Sequence, residues 1–104
     1  MATTERAMDA HEEQSDALID IYIDVSSRRP DPGDARLTGY GYPVWIMIDA
    51  LDAAEHDLAR VAREYELPED AVRAAVVFSR RHREAIDARA RANAAAFGAF
   101  ASRA

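Results

Sequence analysis

The sequence predicts a mainly α-helical fold, in which a short N-terminal β element precedes a three-helix helix-turn-helix bundle with a long C-terminal helix. Apolar residues recur at helical spacing from Pro43 onward, whereas apolar and polar residues alternate over residues 18–25. Pro68, followed by two acidic residues, is a start signal for the last helix of the bundle. At 104 residues the chain suffices for one compact domain. We divide it into a mobile acidic arm (1–16), a β-strand and turn element (17–42), a helix-turn-helix domain (43–96) and a C-terminal tail (97–104).

The arm over residues 1–16 is polar and acidic and lacks a sustained apolar stripe, so we expect it to be mobile or weakly helical. It has no apolar segment of the kind that a signal peptide requires. No apolar run of the chain approaches the roughly 20 residues of a membrane span. A cytoplasmic location is therefore the expectation.

The alternating segment after the arm has the pattern of a half-buried strand. A lone strand cannot satisfy its backbone groups, so it needs a partner strand. Within the chain the candidate is the extended piece at residues 35–38, after the turn at residues 29–34; the alternative is the same strand from a second copy. We therefore predict a homodimer or higher homo-oligomer. Its contacts would be made by the residues on one side of the strand, Ile19, Ile21, Ile23 and Val25.

The predicted helical domain begins at Pro43, which suits the start of a helix. A second helix is expected over about residues 55–65 and a third from Pro68. If the third continued for about 30 residues it would reach about 45 Å, further than so small a domain is wide. Its second half would then project, bend back after Asn93 or pack on another chain. Phe97 and Phe100 lie at that end, and exposed aromatic side chains there would indicate an interaction site.

Charge is divided unevenly along the chain, whose formal net charge is −6. Residues 1–70 hold 6 arginines and 17 carboxylates, a balance of −11, whereas residues 71–104 hold 7 arginines and 2 carboxylates, a balance of +5. An acidic front of this size argues against general binding of polyanions, although it leaves room for a local basic face.

Catalytic chemistry finds little support in the residue types. The chain has no cysteine and no lysine, and it lacks a Gly-x-Ser-x-Gly turn. Its three histidines, at positions 11, 56 and 82, are scattered. We therefore predict a protein that is not an enzyme, with no catalytic, metal or cofactor site.

A helix-turn-helix domain can bind DNA or protein. The second helix of the motif reads bases with its first residues, and here Glu69 and Asp70 would be repelled by phosphates. The arginines further along could contact phosphates, the acidic front of another copy or a partner protein, and we favour protein. The predicted partner-binding residues are Arg80, Arg81, Arg83, Arg89, Phe97 and Phe100.

Several motifs resemble domain-of-unknown-function family 433, a family of small bacterial proteins with a short β element before a helix-turn-helix bundle. The similar features, spread over residues 19–93, are Pro43-Val44 opening a helix, an acidic link, residues 61–65, Leu67-Pro68 and the pair Val72 and Ala75. Many members carry a Gly-Thr-Arg-Ile type segment before the first helix, where this chain has residues 37–42, so it looks like a divergent member.

The resemblance implies an antitoxin-like protein, of the kind encoded beside a PIN-like ribonuclease toxin. Such a protein would bind and occlude the toxin, with repression of its own promoter as a second activity. In this reading the acidic front meets a basic RNA-binding cleft, the arginines occupy an acidic metal site, and the phenylalanines fill a groove. The alternatives are a DNA-binding transcriptional regulator that binds duplex DNA through the same arginines, and a structural self-assembling protein.

Overall fold

The computed structural model describes residues 2–25 and 31–103, with the side chains of residues 12–25 and 31–94. This part of the chain is mainly helical with a small antiparallel sheet, which confirms the predicted class. Its elements are α1 (Ala2–Tyr22), β1 (Ile23–Asp24), a 3₁₀ helix (Pro32–Asp34), β2 (Arg36–Leu37), α2 (Val44–Ala53), α3 (Leu58–Glu64), α4 (Glu69–Arg81) and α5 (Arg83–Arg103).

The prediction of a strand over residues 18–25 is wrong for most of its length. Residues 18–22 form the last turns of α1, which runs straight through the boundary predicted between residues 16 and 17, and only Ile23 and Asp24 are a strand. The partner strand β2 is two residues long, so a longer β1 would have left backbone groups without partners. As a helix the same residues satisfy their own backbone, and they still bury Leu18, Ile19 and Tyr22 in part against the core.

Of the two partners predicted for the strand, the one within the same chain is observed. β1 and β2 pair in antiparallel register, with Ile23 opposite Leu37 and Asp24 opposite Arg36. A further hydrogen bond, from the Thr38 amide to the Tyr22 carbonyl at 2.7 Å, ties the end of α1 to the turn after β2. Both strands of this sheet therefore come from the same protomer.

The three helical segments predicted after Pro43 are present as α2, α3 and α4, although α3 is shorter than expected. Asp57 precedes it, and its carboxylate accepts a hydrogen bond from the Arg60 amide at 3.1 Å. Between α3 and α4 the chain reverses at Glu66, which has a φ of 56°, and the Leu67 amide donates to the Ala62 carbonyl at 2.8 Å. This hydrogen bond closes the end of α3 and places buried Leu67 beneath the turn.

The helix expected to run about 30 residues from Pro68 is interrupted, and of the three courses expected for its second half, a bend after Asn93 does not occur. The helix breaks at His82, whose φ of −125° and ψ of 40° separate α4 from α5. The His82 ring packs on Phe78 with a centroid distance of 4.5 Å. After the break α5 lies against α2 and the 3₁₀ helix, so that Ile86 is only 2% exposed. Burial of Ile86 gives a physical reason for the change in direction.

The core is built around α4. Its buried residues are Ala71, Val72, Ala74, Ala75 and Phe78. Helices α1, α2 and α3 all pack against it, and the small alanines allow close approach. Among the side chains that the structure describes, every buried one is apolar. The packing of α4 against three helices thus holds the last turn of α4 in a defined position.

Candidate partner-binding site

Three of the predicted partner-binding arginines stand together where α4 gives way to α5. Arg80 and Arg81 form the last turn of α4, and Arg83 is the first residue of α5. We call these three residues the arginine junction. Positive charge in the last turn of a helix is favoured by the helix dipole, which explains part of the clustering.

Arg81 is already engaged within the protomer. Its Nη1 lies 2.5 Å from Asp16 Oδ1 in α1, and its Nη2 lies 3.5 Å from the carbonyl oxygen of Glu12. Arg89 likewise forms an ion pair with Asp34, with 3.4 Å between Nε and Oδ1. Two of the four predicted arginines therefore form ion pairs with other elements of the same protomer.

Arg80 and Arg83 are different. Both are exposed, and neither forms an ion pair with any residue that the structure describes. A guanidinium group stays charged at physiological pH and presents five donors suited to carboxylates or phosphates. These two side chains are the part of the junction that is open to a partner.

A slot of about 190 Å³ between α2 and α4 lies beside Arg80 and Arg83. Ile48, Leu51 and Val76 make its floor. Its rim consists of Asp52, His56, Ser79, Arg80 and Arg83. Small-molecule sites typically enclose about 300–1,000 Å³, so this slot suits one apolar side chain of a larger partner rather than a free ligand.

The polar groups of the rim other than the two arginines have local contacts. The Ser79 hydroxyl donates to the Val76 carbonyl at 2.8 Å. His56 Nδ1 and Asp52 Oδ1 are 3.8 Å apart, and the two residues are four positions apart in sequence, with His56 in the turn after α2. The slot thus combines an apolar floor with two cationic groups that are not engaged in ion pairs among the described residues.

Asp49 also lies on α2, outside the lining of the slot, and its carboxyl interacts with that of Asp52. Burial raises the pKa of its carboxyl, and the negative charge of Asp52 raises it further. The ionised carboxylate of Asp49 therefore slightly destabilises the folded state.

The start of α4, where a helix-turn-helix domain would read DNA, is acidic. Glu69 and Asp70 are both exposed. The nearest arginine on the helix, Arg73, forms an ion pair with Asp70, so its charge is locally compensated. This end of α4 has the wrong charge for a phosphate backbone.

The residues predicted for dimerisation do not share one surface. Ile23 is 4% exposed in the protomer's own core, and Ile19 packs partly against that core. Ile21 and Val25, at 61% and 55% exposed, remain accessible to a second copy.

The side chains of Phe97 and Phe100, which belong to the predicted partner site, lie outside those that the structure describes.

Sequence reasoning missed the slot. Ile48 and Val76 belong to the apolar helical pattern of the sequence, and each is only half-buried in the structure. One signal was present, because Val76 precedes Arg80 by four residues, the spacing of neighbours on one helical face.

In the part of the chain that the structure describes, no cluster of three or more histidine or acidic side chains is arranged to hold a metal ion. Within the same residues, none of the helices has the length and apolar character needed to cross a bilayer.

The chain matches no protein-family model, no curated protein and no solved structure. The likeness to domain-of-unknown-function family 433 therefore rests on the motifs quoted from the sequence.

Proposed function

We propose that this chain is a cytoplasmic antitoxin-like protein that binds and neutralises a PIN-like ribonuclease. One observation supports this proposal above the others. Arg80 and Arg83 are exposed beside an apolar slot, and neither forms an ion pair with any described residue. Arginine at the edge of an apolar pocket is typical of the few residues that dominate the energy of a protein interface.

In this proposal α3 and α4 form a helix-turn-helix pair that serves as a platform for protein. The buried alanine-rich face of α4 fixes the last turn of the helix, so Arg80 is held on a packed scaffold. Pre-organisation of this kind lowers the entropic cost of ordering an interface. The acidic start of α4 supports protein rather than duplex DNA as the partner.

The partner would present carboxylates to Arg80 and Arg83. A ribonuclease that binds its metal through acidic side chains offers such a surface, and covering it would block the nuclease. Arg81 and Arg89 act mainly within the protomer through Asp16 and Asp34, so their share in toxin contact would be smaller.

The direct test is inhibition of a PIN-like ribonuclease whose gene, under this proposal, lies beside that of this chain. We expect the wild-type chain to abolish RNA cleavage, and the double variant Arg80→Glu/Arg83→Glu to lose inhibition. The matched control is Arg63→Glu/Arg91→Glu, which makes the same charge change at two exposed sites away from the slot. Full inhibition by the Arg80 and Arg83 variant, or none by the wild type, would refute the proposal.

A further inference from the structure

One face of α1 carries an unusual combination of exposed residues. Ile21 is 61% exposed, the largest value among the exposed large hydrophobic side chains described, and Glu13, Ala17 and Asp20 beside it are exposed as well. Positions 13, 17 and 21 follow one another at four-residue spacing, so they line one side of the helix. We call these four residues the α1 ridge.

The ridge carries negative charge that no ion pair among the described residues neutralises. Neither Glu13 nor Asp20 forms an ion pair with another residue in the ranges that the structure describes. The two carboxylates are seven residues apart, roughly 10 Å along the helix axis. Ile21 therefore projects from a surface with one acid next to it and a second two turns away.

The slot between α2 and α4 has the opposite features. It offers an apolar floor of one-side-chain size, and Arg80 and Arg83 at its rim are unpaired among the described residues. The chain thus has two separate surfaces of opposite charge. On the α1 ridge an exposed isoleucine lies near two carboxylates, and at the slot an apolar floor lies beside two arginines.

We propose that the α1 ridge of one copy docks in the slot of a second copy. Ile21 would enter the slot, and Glu13 and Asp20 would approach Arg80 and Arg83. When each copy supplies both surfaces, a two-fold axis can satisfy both contacts at once and closes the assembly as a dimer. This contact replaces the strand-mediated dimer expected from the sequence, because Ile21 is helical and its neighbour Ile23 is buried.

The inference goes beyond the proposed function and does not depend on it. If both hold, the second copy and the ribonuclease compete for the same two arginines. A dimer would then be a resting form that opens when the toxin binds.

The test uses the purified full chain alone and measures its mass by light scattering and its association constant by sedimentation. We expect the wild type to form a species of twice the 11.5 kDa chain mass. Two charge-reversed chains are then compared. Glu13→Arg/Asp20→Arg makes ridge and slot both basic, and Arg80→Glu/Arg83→Glu makes both acidic.

Each reversed chain alone should associate at least about 30-fold more weakly than the wild type, as expected when close interfacial charge pairs are lost. Mixed together, the two chains are complementary at both contacts and should form a heterodimer. Arg63→Glu/Arg91→Glu, with the same charge change elsewhere, should remain a dimer. Substitution Ile21→Gln should weaken association, whereas Tyr40→Gln, at another exposed apolar residue, should not.

A wild-type chain that stays monomeric at every accessible concentration would overturn the inference. So would reversed chains that dimerise as well as the wild type, or that are monomeric alone and fail to pair on mixing. Because no ribonuclease is present, these outcomes are independent of the test of the proposed function.

Discussion

Asp16 and Arg81 form an ion pair, with 2.5 Å between Oδ1 and Nη1, that joins α1 to α4 across 65 positions of sequence. Both side chains are partly exposed, at 61% and 38%. The pair is a contact between α1 and the last turn of α4. Arg80 and Arg83, the other members of the arginine junction, form no ion pair among the described residues.

A double-mutant cycle with Asp16→Asn and Arg81→Gln should give a small coupling free energy, about 0.2–1 kcal/mol, because exposed ion pairs are weak. Salt should reduce it, since screening acts on partly exposed charges. Urea unfolding at low and high salt measures the coupling. A coupling that is zero at low salt would mean that the contact does not stabilise the packing of α1 on α4.

Gly33 lies against the backbone of α5. A Cβ at this position would be 2.8 Å from the carbonyl oxygen of Ala85, which is closer than such atoms approach. Gly33→Ala should therefore destabilise the fold by about 1–3 kcal/mol, the usual cost of overpacking. Urea unfolding measures the loss, and hydrogen exchange should show faster opening in α5.

Gly39→Ala is the matched control for Gly33→Ala. Gly39 has a φ of 81° but nothing within 4 Å of a Cβ, so its substitution costs only the left-handed conformation, about 1–2 kcal/mol. It should leave exchange in α5 unchanged. Equal acceleration in α5 by both variants would show that Gly33 has no special role in its docking.

Asp49→Asn should stabilise the protein at neutral pH. The pKa of Asp49 is raised in the folded state, so folding binds its proton more tightly and the ionised carboxylate costs stability above that pKa. The gain should be below about 0.5 kcal/mol, as is usual for surface changes. It should shrink as the pH falls through the raised pKa toward 3.8, the ordinary pKa of an aspartate carboxyl.

Thermal unfolding from neutral to acidic pH measures the effect of Asp49→Asn. In an Asp52→Asn background the gain should be smaller, because the Asp52 charge is one cause of the raised pKa. An advantage that grows on acidification would contradict the assigned sign.

Local sequence signals were enough to predict part of the fold. Apolar periodicity and the turn at Glu66 to Pro68 are local signals, and they located α2, α3 and α4. The segment 18–25 carries both periods, because Leu18, Ile19 and Tyr22 make a helical stripe while alternate residues also suit a strand. The choice between helix and strand depends on the short length of β2, which is a property of the tertiary structure and not of the local sequence.

The candidate site was only partly predictable for the same reason. The arginines were visible as a charged run, but which of them are free depends on Asp16 and Asp34, far away in sequence. The break at His82 lies among residues that all tolerate a helix, so no local signal marked it. The slot exists only once α2 and α4 have packed.

The affinity of the chain for a PIN-like ribonuclease, its proposed partner, measured by titration calorimetry, tests the central claim most directly. We expect Arg80→Glu/Arg83→Glu to weaken the complex by at least about 30-fold, the lower end for loss of buried charge pairs. Arg63→Glu/Arg91→Glu should bind like the wild type. Equal affinity of the wild type and the Arg80 and Arg83 variant, or no measurable binding by either, would contradict the account.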